Sequence, residues 1–584
     1  MWGETHLHTS NSSDAFASGN RELGPDMALR FARGETVTSS TGQTVQLKRP
    51  LDFLMISDHA EALGLSRAIL DGQAELIADP QVAEWREMMQ SGPQGSALAT
   101  RQMIAAFGNG TIPPVMRDPE ILGPLTRKVW SEHIDTVEAF NDPGTFVALA
   151  GYEYSSLPGG DNLHRNVIFR DGPKRTKQVL PFSSYQSQDP ADLWRALARY
   201  EARTGGRALS IPHNSNLSNG RMFDPVDYSG TPLTEETAAL RARWEPVVEI
   251  TQIKGDSESH PRLSPDDDLA NYGDAGWDLG NLTLTKAKTD EMLRGDYVRE
   301  ALKTGLDVEA ELGVNPFRLG FIGSTDAHTA LSTAEADNYF SKHANAEPRP
   351  ERLTIPASPA REGVGQRFGW QYLASGYAAV WAHEHSRAGV FDAIARRETY
   401  ATTGPRITLR VFLGALEDVQ PGAEGWVEAG YADGVPMGGM WNGTGAPVIV
   451  ADARRDPDGA GLDRMQIIKG WIGEDGQTRE RVFDVAASDG RAPGADWRVA
   501  PLRSTVDASD ASYDRASGAD RLSVNWTDPA FVPGEAAFYY VRVVQVPTPR
   551  WSTFDRVRFD VDLPEGTPVD VRDRAYSSPI WTRP

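Results

Sequence analysis

At 584 residues, with 40% hydrophobic and 24% charged residues, the chain has a globular composition and room for one large domain plus a smaller one. A net charge of -22 disfavours nucleic acid and anionic membranes as partners, and no apolar run approaches the roughly 18–20 residues that span a bilayer. The absence of cysteine excludes disulfides, zinc–thiolate sites and thiol nucleophiles, so any metal must take nitrogen and oxygen ligands.

The N-terminal Met-Trp-Gly-Glu-Thr-His lacks the basic and apolar regions of a signal peptide. A soluble protein is expected, of unreadable address; a periplasmic or secreted location would follow if a longer precursor had been trimmed here. Short apolar runs then end repeatedly in chemically capable residues. They are 2–5 before His6, 51–56 before Asp58 and His59, 146–151 before Glu153, 208–212 before His213, 247–253 before Lys254 and 319–323 before Asp326. Such runs read as buried parallel strands, with 377–381 as a seventh. Helical stretches such as 190–203 and 284–311 lie between them, suggesting strand–helix units in a barrel with its active site at the strand ends. Residues 80–143 look largely helical, broken by a Gly/Pro-rich stretch at 108–114, and read as an insertion that covers or shapes the site.

After about residue 404 the character changes. A helix over 386–397, capped by Ser386, precedes alternating segments at 407–412, 447–451, 464–469 and 538–546. Gly, Asp and Pro clusters separate these segments, which is the pattern of antiparallel strands in a sandwich-like unit. That unit is either a structural module packed on the barrel or a carbohydrate- or partner-binding module.

His6 and His8 are two apart on a predicted strand, so both face one side and can share a metal. Asp14, in a Ser-rich loop, can fold back as an oxygen ligand. An H-x-H pair alone is weak, but Asp326 and His328 repeat the spacing. Of the 11 histidines, His6, His8, His59, His164, His213 and His328 fall at inferred strand ends or adjoining loops. His133 lies in a helical stretch, His260 and His343 in loops. His383 and His385 precede a helix and read as exposed. Asp58 reads as a helix N-cap, His59 as a ligand. Arg165 reads equally as a contact to a substrate oxygen or as a surface salt bridge. Lys254 and Glu258 can bind an anion and assist proton transfer, against the reading that both are solvated charges. Trp277 and Trp370 line a pocket or belong to the core.

The ordered set H-x-H, Asp, His, Glu, His, His, D-x-H resembles the polymerase-and-histidinol-phosphatase (PHP) superfamily. It is closest to a PHP-like bacterial family long carried as a domain of unknown function. The stretch RRETYATTGPRI, residues 396–407, is similar to that family's segment after the barrel, and the resemblance covers about residues 1–410. It implies an α/β fold. A distorted seven-stranded (βα) PHP-like barrel would occupy 1–404, with the helical insertion, and a C-terminal antiparallel β-sandwich-like domain 405–584. It further implies two or three divalent metal ions (zinc, manganese or iron) held by His6, His8, Asp14, His59, Glu153, His164, His213, Asp326 and His328. The loop between His8 and Asp14 is one residue longer than the commonest superfamily pattern.

The chemistry this leads one to expect is in-line attack by metal-bound hydroxide on phosphorus, without a covalent enzyme intermediate. Three carboxylates against three divalent ions would leave the pocket positive, suited to a small anionic ester. The expected activity is phosphomonoesterase or phosphodiesterase, promiscuity included. Sulfate- or phosphonate-ester hydrolysis on the same cluster is the alternative, and a non-catalytic metal-stabilised binding protein the second. Nucleic-acid processing is disfavoured by the charge and the lack of a basic stripe. Oligomeric state and natural substrate are not written in these motifs.

Overall fold

The computed structural model describes residues 1–358, 360–443 and 445–583. In the first 404 residues the strands that frame the site are β1 (Trp2–Glu4), β2 (Phe53–Met55), β3 (Val147–Leu149), β4 (Gly151–Ser156), β5 (Leu163–Phe169) and β6 (Ala208–Pro212). They continue with β7 (Val247–Gln252), β8 (Gly255–Asp256), β9 (Gly320–Gly323), β10 (Tyr377–Val380) and β11 (Thr399–Thr402). Every residue of β2 to β7 is buried, as strands covered on both faces require.

These strands do not close on one another. β1, β2 and β3 pair in parallel, as do β7 and β9, whereas β4, β5 and β6 are antiparallel. Where a distorted seven-stranded barrel was expected, the described residues divide them among three sheets and form no closed barrel: β11–β10–β1–β2–β3, β4–β5–β6 and β8–β7–β9. Two local features explain the difference. At Gly151 a Cβ would stand 2.6 Å from the carbonyl oxygen of Val167, so the chain leaves β3 and presses against β5. Only residues 157–162 then connect β4 to β5, too short for the crossover of roughly a dozen residues that a parallel pair needs. Single parallel bridges, Leu7 to Ala327 and His59 to Glu153, join the sheets where their strands end.

Helix Pro190–Thr204 starts on the Asp189 cap. The helix expected over 284–311 begins only at Val298 (Val298–Leu312), after a single turn at Asp290–Leu293. Gly295 is the break: a Cβ there would lie 1.7 Å from the carbonyl oxygen of Gly220, so the backbone packs on that loop instead of continuing a helix. Residues 80–143 contain helices Pro80–Gln90, Pro93–Gly108 and Pro119–Phe140, each with proline in its first turn. Their apolar faces share a core with Leu65, Ile69 and Met116.

Beyond residue 404 come β12 (Thr408–Gly414), β13 (Gly434–Pro436), β14 (Met440–Trp441), β15 (Val448–Arg454) and β16 (Leu462–Ile472). They are followed by β17 (Thr478–Ala487), β18 (Arg521–Thr527), β19 (Ala537–Gln545), β20 (Arg574–Ser577) and β21 (Ile580–Thr582). β13–β12–β15–β18 form a separate four-stranded sheet. The others extend the first sheet through β11–β20 and β20–β19 pairing, giving eleven strands from β3 to β14. Leu409, Val411 and Ile449 of the smaller sheet share a core with Ile467, Val541 and Val543 of the larger. The result is a mixed α/β architecture. No helix among the described residues is long and apolar enough to cross a membrane.

A buried ion network links the loop after β8 to β19. Glu258 accepts from Arg299 at 2.7 Å, Tyr540 at 2.6 Å and Arg542 at 2.8 Å, and Asp267 accepts from both arginines. Removing one partner strands buried charge. Arg542→Met is expected to cost about 3–5 kcal/mol, read as a lower urea midpoint at unchanged slope. A loss under about 1 kcal/mol would show that the network does not anchor this junction.

Candidate metal centre

The chain segments that leave β1 and β9 are registered by one bridge. Leu7 pairs with Ala327, which sets His6 beside Asp326 and His8 beside His328. Asp326 N–H donates to the His6 carbonyl and His8 N–H to that of Ala327, both at 2.9 Å. The two spaced-by-two motifs therefore face each other: His6 Nε2 lies 3.2 Å from Asp326 Oδ1, and the rings of His8 and His328 are 3.8 Å apart. Asp326 itself has φ of 58°, a left-handed conformation that aspartate tolerates better than most residues.

The second bridge, His59 to Glu153, brings in the other half. Glu153 is buried and surrounded by five imidazoles. Its Oε2 lies 3.4 Å from His6 Nε2, 3.0 Å from His8 Nε2 and 3.2 Å from His59 Nδ1. Its Oε1 lies 2.5 Å from His164 Nδ1 and 3.1 Å from His213 Nε2. Asp14, on the short helix Ser13–Ala17, meets His328 Nε2 at 2.9 Å and His59 Nε2 at 3.5 Å. All nine residues singled out as ligands thus gather in one cluster.

Three overlapping groups have the spacing to hold an ion: His8, Asp14, His59 and His328; His6, His8 and Glu153; and Glu153, His164 and His213. Ligand atoms about 2.0–2.2 Å from one ion stand roughly 3–3.5 Å apart, the range of most contacts above. Among the described residues, Nε2 of His6, His8 and His164 and Nδ1 of His213 are buried without a hydrogen-bond partner. Orphaned buried nitrogens are costly, and four beside three carboxylates fit a cation-binding role.

Outer contacts orient the rings, as around known metal ligands. Ser12 Oγ has one hydrogen and donates it to Asp58 at 2.9 Å, so at 2.8 Å it accepts from His8 Nδ1. That tautomer leaves the His8 Nε2 lone pair toward Glu153. Asp58 also accepts from Thr9 N–H at 2.6 Å and Thr9 Oγ at 2.7 Å. It is not the helix N-cap expected from sequence; it clamps the loop that carries Asp14. His59 Nδ1 pairs with Ser155 Oγ at 2.6 Å.

Glu249 in β7 holds His6 Nδ1 at 3.0 Å. A fourth group, His6, His213 and Glu249, also has ligand spacing. Because Glu249 meets the nitrogen opposite the one facing Glu153 and Asp326, we read it as orienting His6. Sequence reasoning passed over Glu249, although a carboxylate between Val248 and Ile250 of a buried strand was the signal.

The field inside the cluster divides its imidazoles into a neutral set and a proton-holding pair. Burial lowers His164 and His213 to about 4 and His328 to about 3, keeping them neutral. Burial opposes charge on His6 as well, but Asp326 and Glu249 outweigh it and raise His6 to about 10. For His59, Glu153 and Asp14 likewise overcome burial and raise it to about 9. Despite burial, neighbouring imidazoles and ammonium groups hold Asp14, Glu153 and Asp326 well below the usual carboxylate range.

Lys254 reaches the cluster, its Nζ 2.5 Å from Asp326 Oδ2. Lys342, not selected from sequence, lies 2.7 Å from Asp326 Oδ1 and 2.9 Å from His328 Nδ1. Two ammonium groups therefore flank the carboxylates, which a count of the expected ligands alone omits. His343, read as an incidental loop histidine, is half-buried with its ring edge-on to His328 at 4.9 Å. Lys342 and His343 follow no strand and carry no spacing cue.

Arg165 and Glu258 are not brought to the cluster. Strand alternation turns Arg165 away from the face of His164, and it donates to Glu245 at 2.8 Å and the Leu163 carbonyl at 2.6 Å. Glu258 is consumed by the Arg299–Arg542 network. Trp277 is buried and at the same time lines the cavity above the cluster.

That cavity, about 240 Å³, has Asp14, His59, Glu153, His164, Asp326 and His328 on its floor with Lys254 and Lys342 beside them. The fold and site thus define a mixed α/β protein with a buried histidine–carboxylate cluster, able to hold metal ions, under an open cavity. The chain belongs to the family described as "Protein of unknown function (DUF3604)", which matches residues 1–584. No curated protein and no solved structure matches it.

Ser12→Ala would unfix the His8 ring and loosen the Asp14 loop. Metal affinity, measured by competition with a chromogenic chelator, is expected to fall about 10–100-fold. Unchanged affinity would deny Ser12 an orienting role.

Proposed function

We propose that this chain is a metal-dependent hydrolase of phosphate esters, acting as phosphomonoesterase or phosphodiesterase on small anionic substrates. In this reading residues 1–404 are a PHP-type framework whose distorted barrel is left open between its sheets, and 405–584 a sandwich-like unit packed on it. One observation carries the reading: a single buried carboxylate, Glu153, touches five imidazoles on the floor of a cavity of about 240 Å³.

Two or three divalent ions (zinc, manganese or iron) would be held by His6, His8, Glu153 and Asp326, by Glu153, His164 and His213, and by Asp14, His59 and His328. Bound there, they would supply Lewis acidity toward the ester and lower the pKa of a water. The protein's own groups do the rest. Lys254 and Lys342 hold both oxygens of Asp326 and keep that carboxylate ionised and fixed. Glu249 and Ser12 orient His6 and His8 so that no rotamer search precedes binding. Lys254 also borders the cavity, where its ammonium can attract an ester oxygen.

His6→Ala and Asp326→Ala, purified and metal-analysed, are expected to lose at least about a thousandfold in kcat/KM on an aryl phosphate while keeping their far-ultraviolet dichroism. Retained activity in both would remove the hydrolase reading. A substrate panel of phosphomonoesters, phosphodiesters, phosphonate esters and sulfate esters decides which ester is preferred. Chelation separates catalysis from a purely structural cluster: silenced turnover in a folded protein supports the proposal, whereas global unfolding supports a metal-stabilised binding protein.

A further inference from the structure

The cavity has two unlike halves. Its floor is the charged cluster, but its wall is mostly carbon, and much of it comes from the helical insertion. Met103, Ile104 and Phe107 stand on helix Pro93–Gly108, with Ile112 and Met116 on the turn that follows. Tyr185 packs edge-on to Phe107 at 5.7 Å, which makes an aromatic corner. A metal-held ester needs only the floor. A hydroxyl-rich alcohol, such as a sugar or glycerol, would need a wall of polar partners and would lose water against this one without replacing its hydrogen bonds. An apolar alcohol gains from the same surface. The two methionines add a wall that adapts to irregular shapes, because the unbranched thioether side chain repacks at low cost.

We propose that the substrates are anionic esters of apolar alcohols, aryl or short alkyl, whose organic group lies against Met103, Phe107, Ile112, Met116 and Tyr185. The insertion at 80–143 is then the specificity element, and the corner that its Phe107 forms with Tyr185 the principal contact for an aromatic ring. The anionic half of this inference rests on the hydrolase reading; the apolar half rests on the wall alone. Phe107 and Ile104 are the residues to change, since both line the cavity and are only partly buried, with Phe107 at the margin of the core beneath.

The test pairs binding with turnover on the protein as purified with its metals. Phenylphosphonate should bind at least about tenfold more tightly than methylphosphonate by calorimetry, since a buried ring is worth that much or more. The ratio of kcat/KM for benzyl phosphate over glycerol phosphate, both with alkoxide leaving groups, should favour benzyl by a similar factor. In Phe107→Ala and Ile104→Asn, each checked by dichroism, both preferences should shrink about tenfold. Equal binding of the two phosphonates, or preferences unchanged in both folded variants, overturns the proposal. The two readings fail separately: no turnover of any ester with the binding preference intact removes the hydrolase and keeps the apolar wall, whereas turnover without preference does the reverse.

Discussion

The cluster is built on the burial of a carboxylate among imidazoles. Glu153 is buried in β4 and would be costly there alone; five histidine rings make it tolerable, and it in turn gives them a common acceptor. Because those rings come from segments following β1 and β2, from β5 and from the residue after β6, that one side chain ties together chain from residues 6 to 213. Asp326 plays the matching part on the other side, between His6 and two lysines.

The backbone arrangement that allows this is economical. Two single bridges replace a continuous barrel wall, and each falls at a ligand: Leu7–Ala327 between two spaced pairs, and His59–Glu153 through the ligands themselves. The helical insertion lines the cavity above the cluster with apolar residues. The C-terminal strands brace the arrangement from behind, since β20 continues the sheet through β11, and Arg542 of β19 anchors Glu258 and Asp267.

Much of the cluster was legible before any coordinates. Most ligand candidates end an apolar run or lie close beyond one, with His164 at the start of its run, and burial of such runs forces a polar residue there either to find a partner or to be chemically employed. The outer residues were harder to see. Asp58 looked like a helix cap because it precedes a helical stretch, yet its partners, Thr9 and Ser12, lie almost fifty residues earlier. Arg165 and Glu258 looked available because charged residues near strand ends often are; alternation and a distant arginine pair, respectively, removed them.

What the sequence alone determined was the apolar runs, their polar ends and the helical insertion, because period and burial are local properties of the chain. Sheet closure, the reversal of β5, the roles of Asp58, Lys342 and His343, and the apolar wall were decided only in three dimensions. Each depends on which segments approach across hundreds of residues, and a close contact such as that of Gly151 with Val167 leaves no periodic trace in the chain.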